Sequence, residues 1–185
     1  MKELHEAARA GDAARIEALV AADPTLAVFG AAMLGDAAKL SALLEANKSL
    51  VSAVSPDGWS PLHLAAFYGK LEAARLLLNT GADVKLRSTN VMNNQAIHAA
   101  SAAGHTAIVK LLLDHGTQAN AQQAGGWTAL HAAAQNGYAE MVKLLIENGA
   151  NPSARADNQQ RPIDLAVLKG RQEIVELLEA NGAFL

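Results

Sequence analysis

From Tyr138 to Asn148 the apolar residues Met141, Val142, Leu144, Leu145 and Ile146 are interrupted by Glu140, Lys143 and Glu147. That spacing predicts a helix with one face to bury. Just upstream, Ala129, Leu130 and Ala132 to Ala134 form a slimmer apolar run that stops at Gly137, where a left-handed C-cap glycine would end a helix. Thr128 precedes this run as an N-cap. After Gly149 the polar, turn-rich stretch "ANPSARADNQQR" reads as a protruding loop.

This helix–turn–helix–loop unit recurs. "SPLHLAAFYGKLEAARLLLNTGA" starts at Ser60, "QAIHAASAAGHTAIVKLLLDHGT" at Gln95, "TALHAAAQNGYAEMVKLLIENGA" at Thr128 and "RPIDLAVLKGRQEIVELLEANGA" at Arg161. His63, His98, His131 and Asp164 stand 35, 33 and 33 residues apart, and Gly69, Gly104, Gly137 and Gly170 keep the same steps. Pro61 and Pro162 occupy the first helical position, where a missing N–H costs little. Such a pair cannot bury its apolar faces alone but can do so against a copy of itself, which predicts an all-α solenoid.

The blocks "SPLHLAAFYGKLEAARLLLNTGADV" and "TALHAAAQNGYAEMVKLLIENGANP" resemble ankyrin repeats, and the resemblance covers the chain from about Ser55 to the end. It implies stacked helix pairs joined by β-hairpin-like loops. The first 54 residues match less well, with Leu4, His5, Ala7, Ala8 and Gly11 in register in one segment. Ala31, Ala32 and Gly35 are in register in the next, where Phe29 takes the histidine position. About six pairs are expected within one domain, 1–185. Its parts are an N-terminal capping pair at 1–23, a diverged pair at 24–54, repeats at 55–89, 90–122 and 123–155, and a C-terminal capping repeat at 156–185. Only 24 residues separate Gly11 from Gly35, so "ADPTLAV" is expected to join the first two pairs without a long loop. The short, alanine-rich style is similar to bacterial ankyrin proteins.

Composition narrows the function. The chain is 51% apolar but only 4% aromatic, which suits thin, closely packed helices. A net charge of −3 with both signs interspersed gives no footprint for nucleic acid. With no cysteine, disulfides and thiolate metal sites are excluded. Neither a signal peptide nor a membrane-length apolar run is read, so the expectation is a cytoplasmic monomer without cofactor. Polar residues at both ends suggest capping repeats and a complete chain, with Phe184 and Leu185 folding back on the last helix.

His131, beside Glu140 and Lys143, could be mistaken for an active-site base. Catalysis would need a nucleophile and an orienting acid around it. The same histidine instead recurs at His5, His63, His98 and His131. Equivalent histidines on helices about 8–10 Å apart do not converge on one metal ion. The family resemblance implies a structural role for them, bracing the helix start against the loops, with Gly69, Gly104, Gly137 and Gly170 as the structural glycines. His105 and His115 read as solvated, and Glu72, Glu140 and Glu173 as a solvent-facing row. No catalytic or metal set emerges.

Function should then lie where the copies differ. In ankyrin-like arrays these places are the loop tips and the two residues before the helix-ending glycine. The expected partner-binding residues are Trp59, Phe67, Tyr68, Met92, Trp127, Gln135 and Asn136, with Met33 and Leu34 adjoining them. Exposed aromatics are common interface anchors. The loop "RSTNVMNNQ" carries two extra residues, and Gln95–Ala96 replaces the Ser/Thr-Pro cap found nearby. The expected function is non-catalytic binding of a protein partner. The rivals are a structural or engineered scaffold without a partner and, further off, a small enzyme.

Overall fold

The computed structural model describes residues 1–183. The expectation that Phe184 and Leu185 fold back on the last helix lies outside the described residues. Among these, twelve α-helices form six antiparallel pairs, and no strand is present. The inner helices are α1 (Lys2–Ala10), α3 (Ala27–Leu34), α5 (Pro61–Phe67), α7 (Ala96–Ala103), α9 (Ala129–Asn136) and α11 (Pro162–Leu168). Each is followed by an outer helix: α2 (Ala13–Ala22), α4 (Ala37–Ala46), α6 (Leu71–Asn79), α8 (Thr106–Asp114), α10 (Ala139–Glu147) and α12 (Gln172–Ala180).

The core follows the repeat. Leu77, Leu112, Leu145 and Leu178 are buried in register on successive outer helices, while Ala65 and Ala66, Ala99 and Ala100, and Ala133 and Ala134 line the inner ones. Alanine at these positions lets neighbouring inner helices approach, so each face is buried only by its neighbours. The loops carry hairpin-like turns closed by one backbone bond each: Ser55 N–H to Trp59 O, Ser88 N–H to Asn94 O, Gln123 N–H to Trp127 O and Ala156 N–H to Gln160 O. Successive turns are stitched together by Thr89 N–H to Gly58 O, Ala124 N–H to Met92 O and Asp157 N–H to Gly125 O, each 2.9 Å.

Four of the glycines that end the inner helices, Gly35, Gly69, Gly104 and Gly137, have a second duty besides their positive φ. At Gly104 (φ +83°) a Cβ would come within 2.8 Å of the Tyr138 ring, which lies over it from the next pair. His105 lies over Gly69 in the same way, and its Nε2 is 3.0 Å from the Phe67 carbonyl. His105 is therefore not a solvated side chain, as its position beside a turn suggested, but a contact between pairs. His115 is exposed, as expected, and its Nδ1 also lies 2.8 Å from the Leu111 carbonyl.

The first two pairs are joined by the 3₁₀ turn Pro24–Leu26, with no protruding loop. The result is a close approach of α2 and α3: a Cβ on Gly30 would lie 3.0 Å from Val20 and 3.1 Å from Ile16. In α3 every residue from Val28 to Met33 is buried. Met33 is 1% exposed and therefore cannot adjoin an exposed patch, contrary to the expectation from its place before Gly35; α3 packs against both helices of the first pair.

Candidate functional site

Three histidines brace the inner helices in one pattern. In α9 the Thr128 N–H donates to His131 Nδ1 at 3.2 Å, and Thr128 Oγ1 lies 2.8 Å from the same nitrogen. The proton must then sit on Nε2, which donates to the Gln160 carbonyl at 3.2 Å. His98 repeats this, with Gln95 N–H donating to Nδ1 and Nε2 donating to the Ala121 carbonyl at 2.8 Å. His63 pairs Nδ1 with Ser60 Oγ at 2.7 Å and donates from Nε2 to the Asn94 carbonyl at 2.9 Å. Each ring thus ties a helix start to the next loop. Burial pushes His63 and His131 below the ordinary histidine pKa and holds His98 down to about 4. In the last pair Asp164 accepts from Arg161 N–H at 2.8 Å and pairs with its guanidinium. That bond holds the Asp164 carboxyl below the usual carboxylate range.

His5 departs from the pattern. The loop its ring would reach is missing, because the first two pairs are directly joined. Nε2 instead lies 2.6 Å from Asp57 Oδ2 in the first hairpin turn, and Nδ1 lies 2.7 Å from the Tyr68 hydroxyl at the end of α5. His5 therefore braces the third pair, not its own helix start. Asp57 also accepts from Ser55 Oγ. Burial pushes the Tyr68 phenol up from its ordinary value. The short step from Gly11 to Gly35 already held the signal that His5 needed another partner.

Two clefts flank the aromatic residues of the concave side. The first, about 460 Å³, is lined by Lys2, His5, Glu6, Arg9, Asp57, Trp59, Phe67 and Asn90. Lys2, Glu6 and Arg9, polar residues of the N-terminal end, line this opening. The second, about 160 Å³, lies on the other side of Trp59 and Phe67 and extends to Met92 and Trp127. Trp59 packs edge-on to Phe67, with ring centroids 5.3 Å apart. Trp59, Phe67, Tyr68 and Trp127 are all half-buried, and Met92 is 44% exposed. Tyr68, expected to bind a partner, is engaged by His5 within the chain, so its hydroxyl already has a structural partner. Gln135 is half-buried and Asn136 exposed at the end of α9, and neither lines either cleft. Glu72, Glu140 and Glu173 face solvent.

Sequence reasoning passed over Asn94. It is 5% exposed, lines the second cleft, and its Oδ1 is buried with no hydrogen-bond partner among the described residues. An unpaired buried acceptor costs about 1–3 kcal/mol. Chemically, these clefts offer aromatic faces, the amides of Asn90, Asn94 and Gln123, and a few charges. Both His5 ring nitrogens are engaged, and no cluster of three or more potential metal ligands exists among the described residues. Nor is any helix among them long and apolar enough to cross a membrane.

One similar protein is the human transient receptor potential cation channel subfamily A member 1, 34% identical over 80 residues. That stretch is 43% of this chain and only 7% of the channel. Residues 4–123 and 97–185 match the family model for ankyrin repeats in three copies. The stacked pairs, the stitched turns and this match agree: the chain belongs to the ankyrin-repeat family.

Proposed function

We propose that the chain is a non-catalytic binding module, a cytoplasmic monomer spanning 1–185 as one domain, which holds a protein partner on its concave face and loop tips. Ankyrin repeats are generally protein–protein interaction modules. The observation that carries the reading is the open row Trp59, Phe67, Met92 and Trp127, which leaves half-buried aromatic surface beside a protruding apolar loop. Val91 at that loop tip is 91% exposed beside Met92 at 44%, so the loop adds contiguous apolar surface to the row. The His5–Asp57 pair favours structure over catalysis, because both ring nitrogens are occupied and the Ser55 hydroxyl is turned to Asp57.

The test is a pull-down with the intact chain against two variants, Phe67→Ala and Met92→Glu, each checked for an unchanged helical spectrum. Hot-spot truncations cost about 2 kcal/mol or more of binding, so capture should fall at least ten-fold. Folded variants that capture the same proteins at the same level would overturn the reading.

A further inference from the structure

Trp59 and Phe67 wall both clefts, with the charged one on one side and the apolar one on the other. The apolar one has its origin in the repeat. Trp59, Asn94, Trp127 and Gln160 are equivalent: each supplies the carbonyl that closes its hairpin turn and each precedes the helix N-cap. Trp59 packs against His63 of its own pair at 6.1 Å between ring centroids, and Trp127 against His131 at 5.5 Å. In the pair between them Asn94 takes the place of the tryptophan, and Ala102 stands where the third pair has Phe67. The two smaller residues leave a gap over His98, lined by Trp59, Phe67, Trp127 and Met92. No residue lining it carries a charge at neutral pH, because burial keeps His98 neutral.

We propose that the two clefts together read a short motif in an extended segment of the partner, a phenylalanine in the second cleft and a carboxylate two residues away in the first; this rests on the concave face being the protein-binding surface. Phenylalanine follows from size and from the walls. An apolar cavity of about 150 Å³ takes up one benzene ring. The second cleft, at about 160 Å³, matches it. Its aromatic walls and the Met92 thioether favour a phenyl ring over an aliphatic chain.

The carboxylate follows from charge. In the first cleft Asp57 is held at both oxygens, by His5 and by Ser55, and both ring nitrogens of His5 are engaged. Asn90 is bonded at both ends of its amide. The charges that remain are Lys2, Arg9 and Glu6, none of them in an ion pair among the described residues. Arg9 also reaches the Tyr68 hydroxyl, a neutral partner that leaves its charge unbalanced. Two cations face one acid, and an incoming carboxylate brings the set to neutrality.

The spacing follows from the shared wall. Contacts on the two faces of a wall one ring thick stand about 7–8 Å apart. Side chains i and i+2 on one face of an extended chain are about 6.6–6.8 Å apart. Extended backbone also keeps its N–H and C=O groups for the Gln123 amide, which lines the second cleft and makes no side-chain hydrogen bond among the described residues. A helix would already have used them.

The experiment uses the intact chain and a capped peptide, Gly-Phe-Ser-Glu-Gly, with the reversed sequence as the probe for the opposite chain direction. The backbone and indole N–H resonances report binding. Expected are shifts at Trp59, Trp127 and Ala102, with a dissociation constant on the order of 1 mM for the better direction. Alanine in place of the peptide's phenylalanine should abolish them. Glutamine in place of its glutamate should weaken binding about two- to five-fold, and lysine more, a difference that high salt removes. Lys2→Glu with Arg9→Glu, both at exposed positions, should reverse the order so that the lysine peptide binds better than the glutamate peptide. Ala102→Phe, also at an exposed position, places the third pair's residue in the gap and should abolish the shift at Trp127. No binding in either direction, equal binding of the glutamate and lysine peptides, or an order that survives the double charge reversal would each overturn the proposal. If the peptides fail while Phe67→Ala and Met92→Glu still cut partner capture, the motif falls and the binding reading stands. If the peptide binds but Phe67→Ala, Met92→Glu and Ala102→Phe all keep full capture, the partner does not use these clefts, and both readings fall for this face.

Discussion

Acid should loosen this stack in a way that can be traced to one ring. His98 is buried, accepts from the Gln95 N–H and donates to the Ala121 carbonyl, and burial holds its pKa at about 4 against the ordinary 6.5. The folded chain therefore keeps the ring neutral, while the unfolded chain protonates it as pH falls below about 6.5. More protons bound in the unfolded state means stability falls with pH. The loss begins near pH 6.5 and continues until the folded ring itself titrates near 4. At pH 5 the difference between the two states amounts to about 2 kcal/mol from His98 alone. His63 and His131 are shifted the same way and add to it. For a chain of this size 2 kcal/mol corresponds to about 4–8 °C in melting temperature. Urea denaturation followed by circular dichroism at pH 7.5 and pH 5 measures the loss. The His98→Gln variant should be weaker at pH 7.5, since a buried hydrogen-bond pair is disturbed, yet lose about 2 kcal/mol less on acidification. If the variant and the parent chain lose the same amount, the neutral buried ring is not the source.

Replacing His5 and Asp57 singly and together by alanine should show a coupling of about 1 kcal/mol, discounted because both side chains are partly exposed. Additivity within about 0.3–0.5 kcal/mol in the denaturation midpoints would mean the pair contributes nothing. Exchanging Gln95–Ala96 for Thr–Pro should stabilise by about 1 kcal/mol, through the cap and the fixed φ together. The extended backbone at Gln95 (ψ 167°) suits a residue before proline; a lower unfolding midpoint would refute this.

The stack was legible because its determinants are local and repeated. Apolar spacing places α10 and α12, glycine places the turns, and four copies of one histidine argue against four active sites. What escaped depends on neighbours that the linear pattern does not display. Gln95 lacks the Ser or Thr of its neighbours, yet its backbone N–H still engages His98, so the brace survives a poor cap. His5 sits in register, but its partner is decided by the loop that is absent. Met33 occupies a position open in other pairs and is buried because α3 is pressed between the first pair and α5. The gap over His98 appears only when Asn94 is matched to the tryptophans across the two-residue insertion, a comparison the loop length conceals.

The bridge from His5 to Tyr68 also changes the order in which the chain can come apart. In a simple row of repeats each pair holds only the next, so the end unit peels away first and the rest follow singly. Here the first pair grips the third and the second lies beneath the bridge. The second pair cannot leave before the bridge opens, and once it opens the buried α3 loses its cover. Pulled from its N-terminus, the chain should surrender its first two pairs in one step and the remaining four in smaller ones.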